Sequence, residues 1–127
     1  MFQPISAYSG FSVDDLEKAK EFYTEVLGLT VKELPGRLRL LLPENGQAVV
    51  YLKADHVPAL YTTLNFEVAD IDVAVGALKE KGTIFERYTT MPQDVDGILR
   101  GLSTNNGPDI AWFKDPAGNI LSVVQSR

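Results

Sequence analysis

The sequence predicts an α+β fold built from two tandem βαβββ modules, and three observations carry that reading. The pattern Phe11-Ser-Val-Asp-Asp-Leu16 returns 55 residues later as Phe66-Glu-Val-Ala-Asp-Ile71. Each copy joins a strand-like alternation to an acidic helix start and a helical run ending in glycine, at Gly28 and Gly82. Turn signals then punctuate short apolar stretches after each helix. A fixed-period echo of this kind marks a duplicated supersecondary unit.

In the first copy, residues 5–13 alternate, with Ser9, Phe11 and Val13 on one side and Tyr8, Gly10 and Ser12 on the other. Alternation with period two predicts a strand. Asp14 opens a helix, with Glu17 in capping-box spacing and Asp15 adding negative charge at the positive dipole end. Leu16, Ala19, Phe22, Tyr23, Val26 and Leu27 fall on one stripe, and Gly28 occupies the left-handed stop position. Strands are expected at about 30–34, 37–42 and 47–53, divided by Leu34-Pro-Gly36 and by Pro43-Glu-Asn-Gly46, whose Asn-Gly is a strong hairpin signal. Residues 54–60, with Pro58, read as a linker.

The second copy restarts with a strand at 61–68 and a helix over about 70–81, whose stripe is Ile71, Ala74, Val75 and Leu78. Strands are expected near 83–88, 109–114 and 120–125, the last two joined by the turn Asp115-Pro-Ala-Gly-Asn119. The stretch 89–108 is anomalous, because twenty structureless residues are uncommon in a compact domain. Either Ile98–Thr104 contributes a strand or the segment is a lid. The expected organisation is a single domain of two modules, about 1–55 and 60–127.

Composition bounds function. The 127 residues carry 45% apolar and 23% charged side chains and a net charge of −5, with no basic run. These are the proportions of a soluble globular domain, large enough for one core. They argue against nucleic acid or a membrane as partner. No cysteine is present, so disulfides, thiolate metal sites and a cysteine nucleophile are excluded. No segment reaches membrane-spanning length and the N-terminus lacks a signal-peptide layout, which makes a cytoplasmic location the expectation.

The run Val13-Asp-Asp-Leu16 through Phe22-Tyr23 to Leu27-Gly-Leu29, its echo Phe66–Ile71 through Leu78 to Gly82, and the hairpin Phe113-Lys-Asp-Pro-Ala-Gly-Asn119 resemble the vicinal oxygen chelate superfamily. That group contains glyoxalase I, extradiol dioxygenases, fosfomycin resistance enzymes and bleomycin resistance proteins. The resemblance spans nearly the whole chain. It implies a U-shaped, incomplete barrel around a pocket, and a homodimer.

In metal-dependent relatives a divalent cation is held five residues before the repeated valine of each module and on each module's last strand. Those slots fall here on Tyr8, Thr63 and Ser122 and, aligning Gly46 with Gly118, on Val50. Neutral hydroxyls and a valine are poor ligands for either hard or transition-metal ions. No metal and no other cofactor is therefore expected. The same parity places Gly10, Ser12, Asn65 and Glu67 beside those positions, with Arg39 facing either the pocket or solvent. Arg39 and Glu67 could pair with each other or meet a charged ligand. Tyr61, Tyr88, Met91, Arg100 and Trp112 belong to its expected rim, where aromatics either stack on a planar ligand or fill core and interface. His56, the sole histidine, reads as a ligand or base, or as a solvated loop residue.

The expected ligand-binding set is thus Tyr8, Ser12, Arg39, Val50, Thr63, Asn65, Glu67, Trp112 and Ser122. The leading expectation is a metal-independent protein that sequesters a small molecule. The alternatives are a glyoxalase-like lyase or isomerase, a dioxygenase-type enzyme with an atypical site, and an accessory module whose site has decayed.

Overall fold

A computed structural model describes the whole chain, Met1–Arg127. It separates into two compact units, Met1–Pro58 and Ala59–Arg127. Each holds one open, mixed four-stranded sheet of the same topology. In the first unit β1 (Ser9–Val13), β2 (Thr30–Leu34), β3 (Arg37–Leu41) and β4 (Gln47–Leu52) lie in the order β1-β4-β3-β2. In the second, β5 (Thr62–Glu67), β6 (Leu99–Arg100), β7 (Asp109–Lys114) and β8 (Ile120–Gln125) lie in the order β5-β8-β7-β6. The first strand of each unit pairs in parallel with its last, and the remaining pairs are antiparallel.

Each helix starts at the repeated aspartate. Asp15, rather than Asp14, caps α1 (Leu16–Glu21) by accepting from the Lys18 N–H, and Asp70 caps α2 (Ile71–Glu80) by accepting from Asp72 and Val73. After α1 the chain widens into a π-turn, Phe22–Val26, in which the Leu27 N–H reaches the Phe22 carbonyl. Gly28 and Gly82 follow with φ of +67° and +91°, the left-handed stops that the pattern predicts.

One face of each sheet packs its own helix. In the first unit Phe11, Val13, Leu38, Leu40, Ala48 and Val50 are buried with Ala19 and Tyr23, whose ring lies 6.3 Å from that of Phe11. In the second, Ala111, Phe113, Leu121 and Val123 are buried with Ile71, Val75 and Leu78. Each fully buried large apolar side chain supplies about 1.5–3 kcal/mol.

The structure departs from the expected strands in two places and decides between the two alternatives for 89–108 in favour of a strand. Residues 5–8 are exposed and precede β1, so the first strand is shorter than the alternation suggested. No strand forms at 83–88; a single N–H, from Glu86, bonds β7 at the Trp112 carbonyl. The anomalous stretch supplies the missing strand instead, as the two residues of β6, followed by a short turn at Leu102–Thr104. The reason is visible at Gln93. Its side chain donates to the Glu86 and Gly97 carbonyls and accepts from the Tyr88 N–H, taking the partners that a ladder would use.

Candidate functional site

The site is built on the helix-free face of the second sheet. Asn65, Ser122 and Trp112 stand side by side in register across β5, β8 and β7. Ser122 is fully buried and donates to Asn65 Oδ1 at 2.5 Å. The next positions along would be Thr63 and Ile120 by simple alternation, but the β5 register shifts between Thr62 and Leu64. This bulge makes Thr62 the partner of Ile120, while the Thr63 hydroxyl is turned to the Ile120 carbonyl at 3.1 Å. Bulges re-aim side chains in this way. Thr62 therefore replaces Thr63 at the site, and its Oγ1 accepts from Trp112 Nε1 at 3.1 Å.

Above this face lies a cavity of about 350 Å³, walled by Tyr61, Thr62, Tyr88, Met91, Trp112 and Ile120. Leu60 and Thr90 complete its edge. Tyr88 stands edge-on to Trp112, with centroids 5.5 Å apart at 81°, a favourable aromatic geometry. Burial pushes the Tyr88 phenol above its ordinary value of 10.0; the Glu86 charge adds to this and Lys114 opposes it. Those two charges pair with each other at 3.2 Å, and no charged side chain lines the cavity.

Tyr88 and Met91 reach this position because the irregular segment 83–97 is tied down on both sides of them. Besides the Gln93 bonds, the Arg87 guanidinium donates to the carbonyls of Asp94 and Val95. Asp94 in turn accepts from the N–H groups of Asp96 and Ile98 and from Arg100 Nε. Arg100, expected at the pocket rim, instead clasps Asp72 at the start of α2 and Asp94, and lies 3.6 Å from Asp109. Burial would raise the Asp94 carboxyl, but the Ile98 N–H and Arg100 outweigh it and hold the group below its usual range. Arg100 likewise lowers Asp72.

The first unit places its sequence-selected residues differently. Val50 is fully buried on the helix face, in register with Phe11 and Leu38, so it lines no open site. The error is one of hairpin alignment. Leu41 pairs with Gln47 as Lys114 pairs with Ile120, so Val49 is the counterpart of Ser122. The left-handed residues of that turn are Glu44 and Asn45, and Gly46 is extended, so the Asn-Gly signal sits one step out of phase with Gly118. Tyr8 is 65% exposed, Arg39 is half-buried, and Asn65 and Glu67 of the second unit are exposed. Ser12 Oγ lies 2.6 Å from Nδ1 of the half-buried His56, a contact between residues 44 apart that neither reading of His56 foresaw.

The family model for the Glyoxalase/Bleomycin resistance protein/Dioxygenase superfamily matches residues 6–123. The chain belongs to this superfamily. It is 35% identical over 131 residues to the uncharacterized protein YurT of Bacillus subtilis, covering 89% of this chain and 92% of that one. Among solved structures it is similar to TnmS3, an antibiotic binding protein from Streptomyces sp. CB03234, at 24% identity and a TM-score of 0.68, with 99% and 100% of the two chains covered. A superfamily member from Sphaerobacter thermophilus superposes with a TM-score of 0.70 at 24% identity, covering 97% of this chain and 98% of its own. These two likenesses show the fold.

Metal-binding glyoxalase and dioxygenase relatives would use the slots at Tyr8, Thr63, Ser122 and the last strand of the first unit. The side chains there do not fit a divalent cation. Thr63 and Ser122 spend their hydroxyl protons within the second sheet, and neither Val50 nor its register counterpart Val49 has a donor atom. No group of three His, Asp or Glu side chains is arranged so that it could hold a metal ion. What the superfamily scaffold offers in this chain is a walled, aromatic cavity on the second unit.

Proposed function

We propose that this superfamily member is a metal-independent small-molecule binding protein, acting in the cytoplasm as a homodimer, and that it holds its ligand on the helix-free face of the second unit. The cavity walled by Tyr61, Tyr88, Met91 and Trp112 carries this reading. Its volume lies within the range of small-ligand sites, and a fixed polar group, the Thr62 hydroxyl, stands among apolar walls. Trp112 is assigned to the floor of that site, with Asn65 and Ser122 as its polar extension. TnmS3, which shares the fold, is an antibiotic binding protein. No helix is long and apolar enough to cross a membrane.

The test uses the single tryptophan of the chain as reporter. In a screen of drug-like and metabolite compounds, a specific ligand should change Trp112 emission and raise the unfolding temperature together. At one hundred times its dissociation constant it adds about 2.7 kcal/mol to stability. Binders that raise the unfolding temperature while leaving Trp112 emission untouched, or turnover of the bound compound, would contradict the proposal.

A further inference from the structure

The hydrogen bonds around Trp112 fix what kind of ligand the cavity accepts. The indole N–H can only donate. Thr62 Oγ1 therefore takes the acceptor role at 3.1 Å, and its own hydroxyl proton has no acceptor within the protein. Thr62 lines the cavity together with Tyr88, Trp112 and Ile120, with Tyr88 edge-on to Trp112. The Tyr88 phenol is a neutral donor at ordinary pH, as any phenol is, and it too has no acceptor within the protein. The cavity thus presents proton donors and aromatic surface. It presents no charged side chain, and the nearest pair, Glu86 and Lys114, neutralises itself.

Resting on the binding reading above, we infer that the ligand is an uncharged, planar aromatic compound with an oxo or carbonyl oxygen that accepts from Thr62. An ionised ligand would lose hydration on entering and meet no counter-charge. A purely hydrocarbon ligand would leave the Thr62 donor unsatisfied once water is displaced. The volume of about 350 Å³ accommodates two or three fused rings.

Three matched probes test this: 9-fluorenone, fluorene, and 9-fluorenone-2-carboxylate, titrated into the intact protein with Trp112 emission and thermal shift as readouts. Fluorenone should bind about tenfold more tightly than fluorene, the effect of one satisfied hydrogen bond. It should exceed the carboxylate by at least as much. Thr62→Val should abolish the difference between fluorenone and fluorene, and Thr62→Ser should preserve it. Equal binding of fluorene and fluorenone to the wild type, or tightest binding by the carboxylate, overturns the ligand class while leaving small-molecule binding intact. If none of the three probes and no compound of the wider screen perturbs Trp112, the binding reading fails as well.

Discussion

Gln93→Ala should loosen the cavity without touching it. Three hydrogen bonds end on this side chain: to the Glu86 carbonyl at 2.9 Å, to the Gly97 carbonyl at 2.7 Å and from the Tyr88 N–H at 2.7 Å. Each is worth about 0.5–1.5 kcal/mol net, and a stranded buried partner costs more than a solvated one. Gln93 is half-buried, so water re-solvates part of what is lost, and the sum falls in the lower half of its range, about 2 kcal/mol. With a urea slope of about 2 kcal/mol/M, the unfolding midpoint should drop by about 1 M. Tyr88 is anchored through its N–H alone among these bonds, so its edge-on contact with Trp112 should weaken, seen as reduced near-ultraviolet circular dichroism. Gln93→Glu keeps the acceptor for Tyr88 and loses both donations, so it should be destabilised yet retain more of that signal. A midpoint shift below about 0.2 M for Gln93→Ala would mean that segment 83–97 is held by something else, and the argument for its shape would fail.

Three other outcomes follow from the same structure. Ser12→Ala removes the contact with His56 and should cost about 1 kcal/mol in urea unfolding, with Ser12→Thr retaining most of it. Asp72 and Asp94 are held below their ordinary pKa, so the stability they lend is present above about pH 4 and is lost as pH falls through their lower folded values. Arg100→Gln should therefore lower the urea midpoint at pH 7 and have progressively less effect below pH 4; an equal loss at pH 7 and pH 2 would exclude the ion pairs as its cause. Tyr88, raised by burial, contributes stability that is complete below about pH 10 and declines as pH rises through its folded value. Absorbance titration near 295 nm should show a late-ionising phenol that Tyr88→Phe removes; an unchanged titration in that variant would assign the late group elsewhere.

The duplicated pattern made the architecture legible because each of its parts obeys a local rule. The helix starts, the apolar stripes and the glycine stops need only nearby residues; they hold at Asp70, Gly28 and Gly82, while the first cap falls on Asp15, one residue after the expected Asp14. The sequence also groups Trp112 with Tyr61, Tyr88 and Met91, residues that wall the cavity. What could not be read was register. By alternation Thr62 belongs on the side of Leu64 and Phe66, and only the bulge against β8 turns it into the cavity. The same one-residue uncertainty sent Val50 to the wrong face, because the turn before β4 takes its left-handed residues at Glu44 and Asn45. Strand pairing of this kind is a property of two segments, and a single residue of slip inverts every assignment along it.

Those departures from the repeat are also where the second unit acquires its cavity. A faithful copy of the first unit would have carried a full strand straight out of α2, as β2 follows α1, and an unbroken β5. Instead β6 is reduced to two residues, and the released chain is folded back on Gln93, which sets Tyr88 and Met91 over the sheet. The bulge then supplies Thr62 from beneath, where the Trp112 N–H fixes its polarity. Two independent breaks in the pattern converge on one volume, and each costs ladder hydrogen bonds that folding alone gives no reason to forgo. That cost is the physical ground for the proposal that the second unit holds the ligand.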